Sequence, residues 1–345
     1  MTLPSIHDFD LATVADFEGD VGAGLQVALN HLTEPKVLRN FCSDFPLVRA
    51  GQEGDLAAQA LLLSEYNGKP VSASRVPAKE RGKVFYSANL QQFNYSGGRI
   101  SLQTFFDTLN EQQEKENGEA VYMGSTDVRQ WFPKFADNHS VDLAEVAFPY
   151  LWVSSPCTIA AHYDYPRNLA CNLVGRRRFT LFPTGQINNL YPGPFDFAPG
   201  GQEVSLVDFE AIDFEQFPRF RTAIETGLSV TLEPGDALYI PSMWWHHVES
   251  LGDFNVLYNH WWLAEEGNGL VPSAALKAAM LAIRNLAPQE KAAWQSIFNF
   301  YVFDDPSLAQ EQLPAAAQRL LADHPNSDIV RQTLDDIMRQ LSRAK

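Results

Sequence analysis

The chain has 345 residues, of which 45% are hydrophobic and 20% are charged, a composition typical of a globular protein with a sizeable core. Its formal net charge of −16 argues against a nucleic-acid binder, which needs a basic face, and against adhesion to an anionic membrane. No apolar run approaches the ~20 residues that a membrane helix needs.

The first residues, MTLPSIHDFDLATVADFEGD, are acidic and lack a charged-then-apolar leader, so we expect no signal peptide. The three cysteines are Cys42, Cys157 and Cys171. Their odd number and their spacing match no zinc pattern, which favours structural thiols in a reducing compartment. We therefore predict a cytoplasmic protein. Core packing is the expected role of Cys157 and Cys171, even if they lie near a site.

Residues 1–120 are predicted to form mixed α/β elements that pack on the core. GAGLQVALNHL has helical spacing, whereas KPVSAS, GKVFYSA and QQFNYSG read as short strands interrupted by Gly and Pro. In SLQTFFDTLNEQQEKENG, Ser101 is a candidate N-cap. The apolar positions that follow it share one helical face: Leu102, Phe105, Phe106 and Leu109.

Residues 121–265 are dominated by short β-rich runs separated by Pro/Gly-rich loops such as YPGPFDFAPGG. The runs are AVYMGS, YLWVSS, NLACNLVG, RRFTLFP, LSVTLEPGDALYIP and FNVLYNHWWLA. Many short strands with turn signals between them predict an antiparallel sandwich or barrel. We therefore expect a mainly β fold with helices, in which these strands form the core.

Residues 266–345 are predicted to be helical, because apolar residues recur there at helical spacing. The two apolar stripes are Ala275, Leu276, Ala279, Met280 and Ile283, then Ile329, Val330, Leu334, Ile337, Met338 and Leu341. Terminal helices of this kind cap a sheet or form a dimer, and an apolar stripe serves both.

An H-x-D pair, His162 and Asp164, begins the segment AHYDYPRNLACNLVGRRRFTLFP. If both residues lie in a strand, their side chains point to the same face. IPSMWWHHVES supplies His246 and His247, only one of which can face the same cavity. Two histidines and one carboxylate on one face make the facial triad of non-haem Fe(II) oxygenases. Each residue alone is explained by a structural role, and the conjunction favours the metal site.

Arg177, in the run Arg176, Arg177 and Arg178, is a candidate for the far carboxylate of a keto-acid cosubstrate, because a guanidinium holds a carboxylate with two hydrogen bonds. A solvated charge run near a hairpin is the alternative. Strand alternation predicts that Arg177 faces opposite to its two neighbours.

Three blocks, AHYDYPRNLACNLVGRRRFTLFPTGQINNLYPGP, LEPGDALYIPSMWWHHVESL and NHWW, resemble the JmjC/cupin-like family of Fe(II)- and 2-oxoglutarate-dependent oxygenases. Within that family the sequence is most similar to the asparaginyl hydroxylase that modifies hypoxia-inducible factor. The resemblance runs from about Tyr122 to Trp262. It implies a double-stranded β-helix, the jelly-roll core of cupin and JmjC proteins.

The resemblance implies that His162, Asp164 and His246 bind Fe(II), with no further catalytic residue. Arg177 falls where the family usually has a lysine for the distal carboxylate of 2-oxoglutarate. Other residues fall on positions that bind this cosubstrate or line its pocket: Tyr122, Asn168, Asn259 and Trp261. Ile159 stands where the relative has a threonine, which removes one hydrogen bond to the cosubstrate.

On the substrate side, the resemblance places Glu203 and Val204 where the relative has an Arg-Gln pair, so a different substrate is expected. Trp245 is assigned to the same side. The resemblance implies hydroxylation of a protein or peptide side chain, or of an amino-acid-like small molecule, with release of succinate and CO₂. It also implies a homodimer formed through the C-terminal helices. The alternatives are a non-catalytic cupin-like metal- or ligand-binding module and an N-methyl-lysine demethylase.

Overall fold

The structure is a computed structural model, and it describes residues 3–22, 24–143, 148–263 and 271–343. The chain divides into two compact units, residues 1–264 and residues 265–345, which are treated separately below. Among the described residues, no helix has the length and apolar character to cross a membrane.

The strands of the first unit are β1 Ala12–Thr13, β2 Lys36–Leu38, β3 Val71–Val76, β4 Lys83–Val84, β5 Ser96–Ile100, β6 Ala120–Asp127, β7 Phe148–Ser154, β8 Cys157–His162, β9 Arg167–Val174, β10 Arg177–Phe182, β11 Leu228–Leu232, β12 Ala237–Ile240, β13 Trp245–Ser250 and β14 Asn255–Trp262. Its α-helices are α1 Leu25–Asn30, α2 Pro46–Glu53, α3 Asp55–Glu65, α4 Leu102–Gln113, α5 Val128–Trp131, α6 Pro133–Asn138 and α7 Phe220–Ile224.

The strands form two sheets, one ordered β1-β11-β10-β13-β8-β4 and the other β2-β12-β9-β14-β7-β6-β3-β5. One cluster of buried apolar residues draws on both sheets, with Phe179 and Val248 from the first and Leu238 and Leu257 from the second. The sheets therefore face each other across a shared core, as in a jelly roll. The predicted fold class, mainly β with flanking helices, is confirmed.

Elements from before residue 120 complete both sheets. Strands β2, β3 and β5 belong to the larger sheet, and β1 and β4 pair in parallel with strands of the smaller one. The helices of this region cover the outer face of the larger sheet, where α4 buries Phe105 and Phe106. Helix α4 begins as predicted, because the Ser101 hydroxyl accepts a hydrogen bond from the Thr104 N–H. The outer helices leave the inner face of the sheet free to line a cavity.

The second unit is helical, as its apolar periodicity predicts. Its α-helices are α8 Pro272–Ile283, α9 Pro288–Phe298, α10 Ser307–Gln310, α11 Ala315–Gln318 and α12 Ser327–Arg343. The two predicted apolar stripes lie on α8 and α12. The first residues of the predicted region, 266–270, lie outside the described residues.

Candidate active site

A cavity of about 280 Å³ lies between the two sheets, and side chains from both sheets line it. Eleven residues were assigned from the sequence to the metal, the cosubstrate or the substrate side, and nine of them line this cavity: Tyr122, His162, Asp164, Asn168, Arg177, Val204, His246, Asn259 and Trp261. Glu203 and Trp245 do not. The structure thus brings the expected metal ligands and the expected cosubstrate residues into one space.

The triad is formed where β8 and β13 pair, because His162 lies directly opposite His246 in their antiparallel register. The imidazole centroids are 4.3 Å apart, and His246 Nε2 lies 3.5 Å from Asp164 Oδ2. One ligand atom from each of the three residues lies within 4.8 Å of the others. That spacing suits three donors that share one ion.

Asp164 reaches the site from beyond the strand. Strand β8 ends at His162, so the alternation of a strand does not bring the two side chains together as the H-x-D spacing predicts. Instead the chain turns, and the Met243 N–H donates a hydrogen bond of 2.8 Å to the Asp164 carbonyl oxygen. This contact ties the turn after β8 to the segment that precedes β13.

Both triad imidazoles are held in the orientation that a metal ligand needs. Nδ1 of His162 lies 2.9 Å from the Ala160 carbonyl oxygen, and Nδ1 of His246 lies 3.0 Å from the Trp244 carbonyl oxygen. A carbonyl oxygen only accepts, so Nδ1 carries the proton in both rings. The Nε2 lone pairs are therefore free to bind a cation, an arrangement usual for metal-binding histidines.

The electrostatics favour the protonation states that bind a metal. Burial, reinforced by the neighbouring imidazole of His246, lowers the pKa of His162 to about 4, so the His162 imidazole is neutral at pH 7. Burial alone would raise the pKa of Asp164, but the neighbouring imidazoles of His246 and His162 outweigh burial and lower it. The site therefore presents neutral imidazole and ionised carboxylate.

Arg177 lies in the same cavity and has no counter-ion among the described residues. The residue is 4% exposed, and its Nε and Nη2 have no hydrogen-bond partner in the described part of the chain. Burial lowers the pKa of its guanidinium, and the Cys157 thiol and the Tyr122 phenol offset only part of this effect. The neighbouring arginines face the other way, as alternation predicts. Arg176 pairs with Glu233 on the surface.

Other polar atoms in the cavity also lack partners. Asn168 Oδ1 and the Trp261 indole N–H are buried and form no hydrogen bond with any residue that the structure describes. The Asn259 Oδ1 accepts a hydrogen bond of 2.8 Å from the Trp152 indole N–H, which orients this amide. Because buried polar groups are normally paired, the unpaired atoms in this cavity are those that a polar ligand would satisfy.

His247, Glu203 and Trp245 lie on the other side of the smaller sheet. Adjacent strand residues face opposite ways, so His246 faces the cavity. Trp245 and His247 instead face the outer core, a separate cluster of buried apolar residues that includes Phe182 and Phe209. The Tyr163 hydroxyl donates a hydrogen bond of 2.6 Å to Glu203, and the Tyr163 ring packs edge-on against Trp245. Neither Glu203 nor Trp245 has a contact with the cavity.

Several lining residues were not singled out from the sequence: Ser72, Ser74, Tyr95, Gly124, Ser125, Trp152, Pro199, Gly200 and Gln202. The alternation of Ser72 and Ser74 in KPVSAS was a usable signal, because it places two small polar residues on one face. The loops that carry Tyr95 and Pro199 meet through a stack of Phe93 on Phe197, with ring centroids 4.5 Å apart. No local sequence pattern predicts the contact between Phe93 and Phe197.

Comparison with known families matches residues 26–268, well over half of the chain, to the family described as cupin-like domain. The chain belongs to the cupin-like domain family. The resemblance drawn from the sequence motifs is thereby confirmed at the level of the family.

Relatives of this cupin-like chain include HSPB1-associated protein 1 of Homo sapiens, which is 34% identical over 42% of this chain and 30% of its own length. Lysine-specific demethylase JMJ31 of Arabidopsis thaliana is 31% identical over 49% of this chain and 29% of its own. JmjC domain-containing protein D of Dictyostelium discoideum is 25% identical over 63% of this chain and 49% of its own. The matches thus span between about a third and a half of these relatives.

Proposed function

We propose that the protein is an Fe(II)- and 2-oxoglutarate-dependent oxygenase that hydroxylates an uncharged side chain of a protein or peptide, or an amino-acid-like small molecule. One observation carries the proposal. The facial set of His162, Asp164 and His246 lies in the same cavity as the buried, unpaired guanidinium of Arg177. A keto-acid with a second carboxylate fits both features, because its keto-acid end chelates a metal and its second carboxylate pairs with a guanidinium.

The donor set fits Fe(II). Two neutral imidazole nitrogens and one carboxylate are the ligands of non-haem iron sites that keep open positions for a cosubstrate and O₂. When bound, iron and 2-oxoglutarate would supply a C–H hydroxylation in which O₂ is the oxidant, with one oxygen atom entering succinate, the other entering the product, and CO₂ released. The role of the three side chains is to hold the ion and leave one side of it free.

Arg177 fits the distal carboxylate of 2-oxoglutarate. Its unpaired Nε and Nη2 are adjacent donors of one guanidinium, and that edge can bind both oxygens of a carboxylate. Tyr122 and Asn168 line the same cavity, and the hydroxyl and amide add donors beside the guanidinium. Arginine therefore fills the role of the lysine that is usual in this family.

The charge of the cavity favours an uncharged reacting group. Among the described residues that line it, the formal charges are those of Asp164 and Arg177. If Asp164 binds the metal and Arg177 binds the cosubstrate, no carboxylate remains to pair with a substrate cation. The rest of the wall offers neutral groups such as Ser72, Ser74 and Gln202. A neutral side chain enters such a cavity at a lower desolvation cost than an ammonium group.

A proteinaceous substrate is supported by the relatives, one of which is named as a lysine-specific demethylase and another as associated with HSPB1. The first of these names is also the observation behind the second candidate function, N-methyl-lysine demethylation. The two reactions give different products, because hydroxylation adds one oxygen and demethylation releases formaldehyde. Mass spectrometry of trapped peptides, with a formaldehyde assay, separates them.

The central test is succinate formation. Purified protein supplied with Fe(II) and 2-oxoglutarate should release succinate, and Asp164→Ala should abolish this release and reduce bound iron. Asp253→Ala, at an exposed carboxylate outside the cavity, is the matched control and should behave as wild type. Iron binding without any succinate, with or without candidate peptides, would instead support a non-catalytic binding module.

We further propose a homodimer formed through the C-terminal helices and a cytoplasmic location. Helix α12 carries apolar side chains that are largely exposed, including Met338 at 67% and Leu341 at 55%, and such stripes are typical of interaction surfaces. Light scattering should give the mass of a dimer for the full chain and of a monomer after deletion of residues 325–345. A monomer in both would refute the dimer.

A further inference from the structure

Strand β6 is bulged where it borders the cavity. Between Met123 and Thr126 its register against β7 shifts, so that two residues of β6, Gly124 and Ser125, lie opposite one residue of β7. Ser125 adopts a left-handed backbone with φ of 44°, and both bulge residues line the cavity. Bulges beside a site re-aim side chains, which raises the question of what this one positions.

The phenol of Tyr122 lies against Gly124. A Cβ placed on Gly124 would be 2.8 Å from Cε1, 2.9 Å from the hydroxyl oxygen and 3.0 Å from Cζ of the Tyr122 ring. Ordinary contact begins at 3.4 Å, so any side chain at this position collides with the phenol. The backbone of Gly124 is not left-handed, so glycine is required here for space and not for its dihedral freedom.

Packing alone fixes the Tyr122 hydroxyl. No hydrogen bond joins this hydroxyl to another of the described residues, and the ring packs against Trp152 with centroids 6.3 Å apart. Tyr122 and Arg177 line the same cavity. The hydroxyl is thus a free hydrogen-bonding group in the cavity that also contains the unpaired guanidinium.

We propose that Gly124 is a positioning residue for cosubstrate binding: its missing side chain lets the Tyr122 phenol lie over the bulge, within the cavity that Arg177 also lines. This inference rests on the proposed function, since the group held there is the distal carboxylate of 2-oxoglutarate. Gly124 itself contacts no reacting atom.

Gly124→Ala should move the phenol by about 0.6 Å or more, the difference between 2.8 Å and the start of ordinary contact. The backbone accepts alanine, so the substitution should leave the fold intact. Misplacement of a binding group by ångström fractions lowers affinity and rate steeply. We expect the Kd for 2-oxoglutarate to rise about tenfold, with no change in metal content.

Two measurements test the inference, one of them without metal or cosubstrate. In apo protein with ¹³C-labelled tyrosine, the Tyr122 ring resonance, assigned by its loss in Tyr122→Phe, should shift in Gly124→Ala. In Mn(II)-loaded protein, calorimetry should show the weaker binding of 2-oxoglutarate. Gly98→Ala is the matched control, because it lies on β5 of the same sheet and a Cβ there meets no atom within 4 Å.

A double-variant cycle shows whether Gly124 acts through the phenol. In a Tyr122→Ala background, where the ring is absent, Gly124→Ala should have no further effect on the Kd. An unchanged Kd in the single variant, an unshifted ring resonance, or an equal tenfold loss in the Tyr122→Ala background would each overturn the inference. Wild-type protein that binds no 2-oxoglutarate would overturn the proposed function, and a shifted ring resonance would then confine the role of Gly124 to the shape of the cavity.

Discussion

Replacing Arg177 by methionine should stabilise the ligand-free protein while removing its response to 2-oxoglutarate. The guanidinium is 4% exposed, it forms no ion pair with any described residue, and two of its nitrogens have no partner. A buried charge in this state destabilises the fold, because its desolvation is not offset by a counter-ion. Methionine fills a similar volume without a charge.

The expected change in the free energy of unfolding differs between the cavity without 2-oxoglutarate and the cavity that holds it. Exchange of buried charged groups for apolar ones of similar size is often worth about 1–4 kcal/mol in favour of the variant. In the wild type, 2-oxoglutarate at a hundredfold excess over its Kd should raise the free energy of unfolding by about 2.7 kcal/mol. Loss of hydrogen bonds to a charged group, at about 1.5–3 kcal/mol each, removes most of that gain in the variant.

Denaturant unfolding, followed by the fluorescence of the seven tryptophans, measures both effects. Curves are compared for Mn(II)-loaded protein with and without 2-oxoglutarate. Arg176→Met is the matched control, because Arg176 precedes Arg177 in the chain but is exposed and pairs with Glu233 on the surface. It should change the free energy of unfolding by no more than about 0.5 kcal/mol and keep the full response.

The reasoning is refuted if Arg177→Met destabilises the ligand-free protein and still gains stability from 2-oxoglutarate. That result would mean that Arg177 is a structural cation whose partners stabilise the native fold. It would also place the distal carboxylate elsewhere in the cavity.

Three further predictions follow. Ile159→Thr, which adds a hydroxyl to the cavity wall, should lower the Kd for 2-oxoglutarate about tenfold in calorimetry; an unchanged Kd would mean that the hydroxyl does not reach the cosubstrate. His139 is fully buried, and its Nε2 accepts a hydrogen bond from the Leu47 N–H. Burial lowers the pKa of His139 to about 4. The unfolded chain therefore binds a proton that the folded protein does not, and stability falls by up to about 3 kcal/mol from pH 6.5 to 4. His139→Gln should flatten that pH dependence in denaturant titrations, and an unaltered slope would contradict the assignment. Ser101→Ala removes the cap of α4 and should cost about 1 kcal/mol in the same assay, whereas no loss would show that the cap is dispensable.

Much of the fold could be predicted because its signals are local. The period of two in the β-rich runs, the turn residues between them and the N-cap at Ser101 depend on neighbours in the chain, and the structure has the expected elements. The pairing of those strands depends on partners far away in sequence. No local pattern could show that β2, β3 and β5 would complete the larger sheet.

The candidate site was likewise predictable only in part from the sequence. The sequence identified four candidates, His162, Asp164, His246 and Arg177, because residue type and spacing indicate which side chains can bind a metal or a carboxylate. Trp245 was assigned to the substrate side, but its neighbour His246 faces the cavity, and alternation turns the Trp245 ring into the outer core. Choosing which of two adjacent residues faces a cavity requires the tertiary structure.

By itself, the sequence determined the mainly β architecture and which residues are candidates to bind the metal and the cosubstrate carboxylate. Only the tertiary structure decided that Asp164 reaches the site from a turn, that Arg177 is buried without a partner and that Gly124 makes room for Tyr122. The physical reason is that burial, hydrogen-bond satisfaction and the space beside a side chain depend on the packing of two sheets. Residues from different parts of the chain set these quantities, and no short stretch of sequence contains them.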